Sequence, residues 1–309
     1  MKTGIAIISL VAFYILSCSS VAEESTNSIE EGDDIIVEDG NSLLWRIEGN
    51  NCVPSYMYGT MHMIDEEYYD FTDVMRERIE ESETIIMEVG GMPNPLETFA
   101  LMSLDTGDVT SFFTKEQMSI IVEFFDTQLD TDPEQFYMVY GKMKPFFILQ
   151  SISQSYFKEN SQSYDLEIMG IAAEKEIPLI GFETIQEQLG FFDKIPTDGI
   201  GEMIVESIEN FEKEKKQTQK MMKIYSEQKV DKLIPLIQKQ SPEFMEFSDL
   251  FLYDRNKAWI PTIKKEIADK QCFIAVGAAH LFGERGVIDL LEKEGYTVTA
   301  ISTKKSVKQ

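Results

Sequence analysis

Along this chain, short runs of apolar and aromatic residues alternate with longer stretches where apolar positions recur every three or four residues. Residues 43–47 and 55–58 are runs of the first kind and read as strands, split by a turn at Gly49-Asn50-Asn51. Over 66–82, Phe71, Val74, Met75 and Ile79 share one helical face. The run Thr84-Ile85-Ile86-Met87-Glu88-Val89 has the character of a buried strand and is stopped by Gly90-Gly91. From Pro93 and Pro95 to about 157, Met and Phe at helical intervals predict core-facing helices rather than a cofactor box. A helix over 165–176, a strand over 178–182 and a helix beginning at Thr184 follow. Residues 200–270 are mainly helical, interrupted near Ser241-Pro242, with Pro261 expected to kink the last part. The chain closes with a strand over 272–276, a helix over 287–293, a strand over 296–301 and a frayed tail beyond Ser302.

Strands that alternate with helices imply an α/β fold with a mixed or parallel central sheet and flanking helices. The two long helical stretches imply a large helical insertion or cap over that sheet.

The first residues change the picture of where the domain works. Met1-Lys2-Thr3 is a short basic start, Gly4 to Leu16 is apolar, and Ser17-Cys18-Ser19 follows. This is the layout of an export signal, too short to span a bilayer. A Cys directly after the apolar run resembles a bacterial lipobox, with Ile15 where Leu is usual. Residues 1–18 are therefore expected to be a lipoprotein signal with Cys18 lipidated, the rival being a plain signal peptide cut nearby. The anchor would place the protein on the outer membrane or the periplasmic face. Residues 19–41 are acidic and poor in apolar surface, and read as a flexible tether to a domain at 42–303.

The whole chain has 28 Lys and Arg against 54 Asp and Glu, a formal net charge of −26. Nucleic acid is excluded as a partner on that balance, since phosphate binding needs basic patches. Besides Cys18 there are two cysteines, Cys52 and Cys272. Each lies shortly before one of the two histidines, and export to an oxidising compartment permits a disulfide between them; two separate buried thiols are the other outcome.

The candidate chemistry rests on those histidines. His62 ends Gly59-Thr60-Met61-His62, and His280 ends Gly277-Ala278-Ala279-His280. Both follow an apolar strand, so the pair suggests a weak internal duplication of strand, turn, histidine and helix. A Gly after a strand permits a sharp turn with positive φ, which would project each imidazole at the carboxyl edge of the sheet, where open α/β sheets bind ligands. Glu88 sits on an apolar strand, where an unpaired carboxylate would be costly. Two imidazoles and a carboxylate, His62, His280 and Glu88, can form an open metal site. A bound divalent ion would lower the pKa of water and polarise a carbonyl. Neither histidine lies in an HExxH arrangement, and no Gly-x-Ser-x-Gly is present to suggest a serine hydrolase.

Several blocks together resemble the TraB/GumN family. They are Ser55-Tyr56-Met57-Tyr58-Gly59-Thr60-Met61-His62, Glu88 at its strand end, Tyr164-Asp165-Leu166, and Gly181-Phe182-Glu183-Thr184-Ile185-Gln186-Glu187-Gln188. Arg255-Asn256, then Ala275 through Gly283, Gly286 and Gly295-Tyr296, complete the set. The resemblance runs from about 43 to 301. It implies the fold shared with erythromycin esterase-like and ChaN-like proteins, the latter linked to haem. It also implies a Tiki-like metalloprotease using Mn²⁺ or Co²⁺, with Zn²⁺ a further option, acting on a peptide or protein. His62, Glu88 and His280 would be the ligands. The contrasting expectation is a non-catalytic lipoprotein that binds haem or a peptide signal.

Three further residues have open roles. Glu183 could be a fourth ligand, a general base beside Glu88, or part of the cap of the helix that starts at Thr184. Asp165 reads most simply as a helix N-cap. Arg255 could clamp a substrate carboxylate or pair with an acid such as Glu183.

Overall fold

The computed structural model describes residues 34–305 except 93, 195–196, 198 and 241–246. The expected lipobox with Cys18, the first part of the tether and the Ser241-Pro242 break lie outside the described residues.

Six strands form one sheet: β1 (Leu44–Glu48), β2 (Ser55–Thr60), β3 (Thr84–Val89), β4 (Leu179–Glu183), β5 (Cys272–Gly277) and β6 (Thr297–Ile301). Their order is β4-β3-β5-β2-β1-β6. The four strands β4, β3, β5 and β2 are parallel, and β1 runs antiparallel to both β2 and β6. The sheet is thus mixed. β2, β3 and β5 are buried at every position, as expected of parallel strands covered on both faces, and this is why they read as continuous apolar runs.

Thirteen helices are named here in chain order: α1 (Asp73–Glu80), α2 (Pro95–Met102), α3 (Lys115–Gln128), α4 (Pro133–Tyr140), α5 (Phe146–Gln154), α6 (Tyr164–Glu174), α7 (Ile185–Phe192), α8 (Ile200–Glu209), α9 (Phe211–Ser226), α10 (Val230–Gln240), α11 (Asp254–Ile267), α12 (Ala278–Leu281) and α13 (Val287–Lys293). On one sheet face, Met75 and Ile79 of α1, Ile168 of α6 and Met222 and Tyr225 of α9 pack with Tyr58, Met87 and Ala275. On the other, Trp259 and Ile263 of α11 and Leu291 of α13 pack with Met57, Ile86 and Ile274. A separate core made by α3, α4, α5 and α8 contains no strand residue, and centres on Phe125, Phe136, Ile148 and Ile204. This is the expected helical insertion. It joins the sheet through a cluster in which Val89, at the end of β3, meets Phe147, Leu189 and Phe251.

Local chemistry sets several boundaries. The single helix expected over 66–82 splits, because Thr72 caps a new one by accepting from Met75 N, leaving a 3-10 turn at Glu66–Tyr68. Thr184 and Glu187 form a full capping box that starts α7. α11 runs through Pro261 and is preceded by a π-helical turn, Asp249–Tyr253.

Two expectations about the ends are corrected. The acidic stretch before 42 is not free throughout: Asp34 pairs with Arg46 and Arg78, both at 3.0 Å, and Ile36 bridges to Ile301. Val37 N donates to Ala300 O and Ser302 N to Ile35 O, so 34–37 extend the β6 edge. Beyond Ser302, Thr303 is buried and bonded to Gln228 rather than frayed. Long-range partners hold both segments, and composition carries no record of them.

The β3–β4 contact demands glycine. A Cβ on Gly90 would lie 2.5 Å from Gly181 N, and one on Gly181 would lie 2.2 Å from Gly90 N. Gly181→Ala is therefore expected to destabilise the domain by about 1–3 kcal/mol, since backbone cannot yield as a side chain can; a denaturant midpoint unchanged from wild type would refute the contact.

Candidate functional site

The order β4-β3-β5-β2 places four carboxyl ends side by side. Thr60 pairs with Gly277, and Val89 with Glu183. His62 follows β2 by two residues, His280 follows β5 by three, Glu88 is the last but one residue of β3, and Glu183 ends β4. The expected residues therefore converge on one edge of the sheet.

The glycines serve a purpose other than the expected one. Gly277 has φ −52°, and Gly59 is not among the residues with positive φ. A Cβ on Gly59 would approach Leu281 Cδ1 to 2.9 Å and Ala278 Cα to 3.1 Å. Gly59 is needed because the two histidine units pack against each other. Gly277 donates its N–H to Glu88 Oε1 at 2.9 Å.

Each imidazole is held through Nδ1. His62 Nδ1 lies 2.8 Å from Asp165 Oδ2, and Thr60 Oγ1 donates to Asp165 Oδ1 at 3.2 Å. Asp165 is thus not the N-cap of α6; Ser163 takes that role by accepting from Leu166 N. His280 Nδ1 lies 2.6 Å from Asn256 Oδ1, and its ring packs on Trp259 at 4.5 Å between centroids. His62 Nε2 is buried without a protein partner. His280 Nε2 lies 3.7 Å from Glu88 Oε1.

Arg255 is bound at every N–H. Nε donates to Glu183 Oε1 at 2.8 Å, and Nη1 to Phe251 O at 3.0 Å and to His280 Nε2 at 3.2 Å. Nη2 donates to Glu88 Oε2 at 2.6 Å and to Glu183 Oε2 at 2.7 Å. These contacts use the full donor fork of a guanidinium. The carbonyl of Phe251 comes from the π-helical turn before α11, a device common where a backbone must serve a site. Of the two readings of Arg255, pairing with Glu183 is the one realised, and Glu88 shares it. Glu183 is not part of the cap of α7; Trp259 Nε1 also donates to it, at 3.1 Å. Gln188 Nε2 completes the set on Glu88 Oε2, at 3.2 Å.

The electrostatics follow from burial and these partners. Burial opposes the charged form of His62, but the Asp165 carboxylate outweighs it and lifts the imidazole to about 9. His280 has no carboxylate on Nδ1, and burial depresses it to about 3. Burial would raise Glu88, yet the Arg255 guanidinium prevails and holds it well below the usual carboxylate range. Two carboxyl groups, Glu88 and Glu183, thus share one guanidinium, and Asp165 faces His62.

Among the described residues no three His, Cys, Asp or Glu side chains are already gathered as an ion cage, because Arg255 bridges His280 and Glu88. The donor set nevertheless fits a divalent ion. His62 Nε2 is a buried, unpartnered nitrogen, each Nδ1 is occupied by an acceptor, and Glu88 and Glu183 share a single guanidinium. Arg255 Nη1 is the donor that such an ion would displace from His280 Nε2.

The expected Cys52–Cys272 disulfide is not formed. Both thiols are free, and Cys272 Sγ is directed to Lys270 O at 3.7 Å. Both belong to the core under α11, so the shared neighbourhood was legible; burial, which pushes the Cys272 thiol up to about 12, keeps it protonated and inert. Sequence reasoning missed Asn256 as a partner of His280, and missed the tie between Asp165 and His62.

A family model described as TraB/PrgY/gumN matches residues 43–300, most of the 309-residue chain. No curated protein and no solved structure matches it. The matched span takes in all four strand ends and every residue of the site, and the chain belongs to the TraB/PrgY/gumN family.

Proposed function

We propose that this protein is an exported, membrane-anchored hydrolase that cleaves a peptide or protein substrate with the help of a divalent ion, Mn²⁺ or Co²⁺ first and Zn²⁺ next. His62, Glu88 and His280 would hold the ion. The observation that carries this reading is the unpartnered, buried Nε2 of His62 beside an excess of buried carboxylate charge. When bound, such an ion polarises a carbonyl and lowers the pKa of water. Asp165 keeps the Nε2 of His62 turned inward, and Gly277 N–H and Arg255 keep Glu88 ionised and fixed. Both oxygens of Glu183 are committed to Arg255 and Trp259, which makes it a support for Arg255 rather than a base.

One observation favours a second reading. Arg255 already fills the lone pair of His280 Nε2, so the His62–Asp165 pair could serve as general base for the same hydrolysis with no ion, in its deprotonated form and hence with activity rising as pH climbs toward the value of about 9 to which Asp165 lifts the imidazole. Calorimetric titration of chelator-stripped protein with Mn²⁺, Co²⁺ and Zn²⁺, alongside a peptide-library digest, separates these. One ion per chain with ion-dependent cleavage supports the first reading. Cleavage indifferent to chelator supports the second. No cleavage, with haem absorbance appearing on titration, would support the non-catalytic alternative.

For the anchor, no helix among the described residues is long and apolar enough to cross a membrane. Cys18→Ala should shift the protein from the membrane to the soluble fraction; unchanged membrane association would sink the lipoprotein proposal.

A further inference from the structure

The two Gly-x-x-His units differ in the partner of Nδ1, and the partner in the second unit is a neutral amide whose orientation the fold fixes. Asn256 lies on α11 and is fully buried. Its Nδ2 donates to His280 O at 3.2 Å and to Arg285 O at 2.9 Å. Both partners are acceptors only, so turning the amide over would set Oδ1 against two carbonyl oxygens. Oδ1 must therefore face His280 Nδ1, at 2.6 Å, and it can only accept. The ring proton then belongs on Nδ1 and the lone pair on Nε2. Arg255 Nη1, a donor 3.2 Å from Nε2, requires the same assignment independently. Two successive residues, Arg255 and Asn256, thus engage both nitrogens of one ring.

We propose that Asn256 is a positioning residue of the site: it fixes the orientation of His280 and its Nδ1–H tautomer, so that Nε2 is presented to the Glu88–Arg255 centre as a lone-pair donor. An amide suits this position where a carboxylate would not. It specifies the tautomer without adding a further negative charge beside Glu88 and Glu183. Asp165 holds Nδ1 of His62 with a charge instead, and this difference sets the two units apart at Nδ1. The consequence for an ion rests on the metal reading above; the tautomer does not.

The chain has two histidines, so ¹⁵N-histidine labelling yields four ring-nitrogen signals. In ion-free, full-length protein His280 should show a protonated Nδ1, a bare Nε2, and a through-hydrogen-bond coupling from Nδ1 to the Asn256 side-chain carbonyl carbon. With Arg255 then the one remaining restraint on the ring, Asn256→Leu should lose the coupling and show a larger share of the Nε2–H tautomer than wild type, and Asn256→Asp, which keeps the acceptor, should retain the Nδ1 proton. Zn²⁺ affinity in Asn256→Leu should fall about 10–100-fold, as for other partners of ligating histidines. An Nε2–H tautomer in the wild type, or a wild-type pattern in Asn256→Leu, overturns the proposal. If Asn256→Leu does not fold, the wild-type coupling decides alone. If the wild type shows the expected tautomer but binds no ion, the metal reading fails and the positioning role stands.

Discussion

A His62→Gln variant should bind no divalent ion and should lose hydrolysis by about 10²–10⁴-fold, while remaining folded. Glutamine keeps a donor for Asp165, so the buried carboxylate is not abandoned, but the inward Nε2, whose lone pair an ion or a base would use after loss of its proton, is gone. If His62, Glu88 and His280 serve one ion, their losses are not additive: His62→Gln, His280→Ala and the double variant should be alike in metal content. Elemental analysis gives the stoichiometry, with circular dichroism as the control for folding. Full metal in His62→Gln together with loss in His280→Ala would end the shared-site argument. Loss of cleavage with chelator-insensitive wild-type activity would instead assign His62 as a base. The two readings of the site differ in the ion and agree on His62, which is why this position should show the largest effect on activity.

The largest effect on stability should come from Arg255. Arg255→Met leaves Glu88 and Glu183 buried without their cation, and breaking a buried ion pair from one side costs about 3–5 kcal/mol. Arg255→Lys should rescue little, because an ammonium on a flexible stem cannot reproduce the five directed N–H contacts to two carboxylates, a carbonyl and an imidazole. Adding Glu88→Gln and Glu183→Gln to Arg255→Met should recover much of the loss, since the uncompensated charges go with it. Urea unfolding of these proteins and of the Glu88→Gln/Glu183→Gln variant closes the cycle; purely additive losses would show that Arg255 stabilises through packing on Phe191 and Trp259 alone.

Much of this site was legible along the chain. A Gly-x-x-His after an apolar strand, found twice, announces where the imidazoles stand, and a lone Glu88 in an apolar run announces a carboxylate with a purpose. Thr184 and Glu187, three residues apart, mark a helix start with no help from the rest of the fold. Other parts had local explanations that concealed distant ones. Asp165 stands in the first turn of a helix, where an acid is ordinary, so nothing near it in sequence points to a histidine 103 residues away. Asn256 is neutral and small, and its three partners become neighbours only when α11 packs beside the end of β5. Cys52 and Cys272 pack in one core cluster yet remain thiols.

The sequence by itself determined that the candidate residues His62, Glu88, Glu183 and His280 each stand just past, or at the end of, an apolar strand, because strand and helix periodicities and cap chemistry are short-range properties. Only the tertiary structure decided that β5 lies between β3 and β2, that Arg255 is shared among Glu88, Glu183 and His280, and that one imidazole faces a carboxylate and the other an amide. Those outcomes depend on hydrogen bonds a few ångströms long between groups tens to hundreds of residues apart, and on partners that move the two buried imidazoles in opposite directions: burial lowers both, and the Asp165 carboxylate lifts His62 alone.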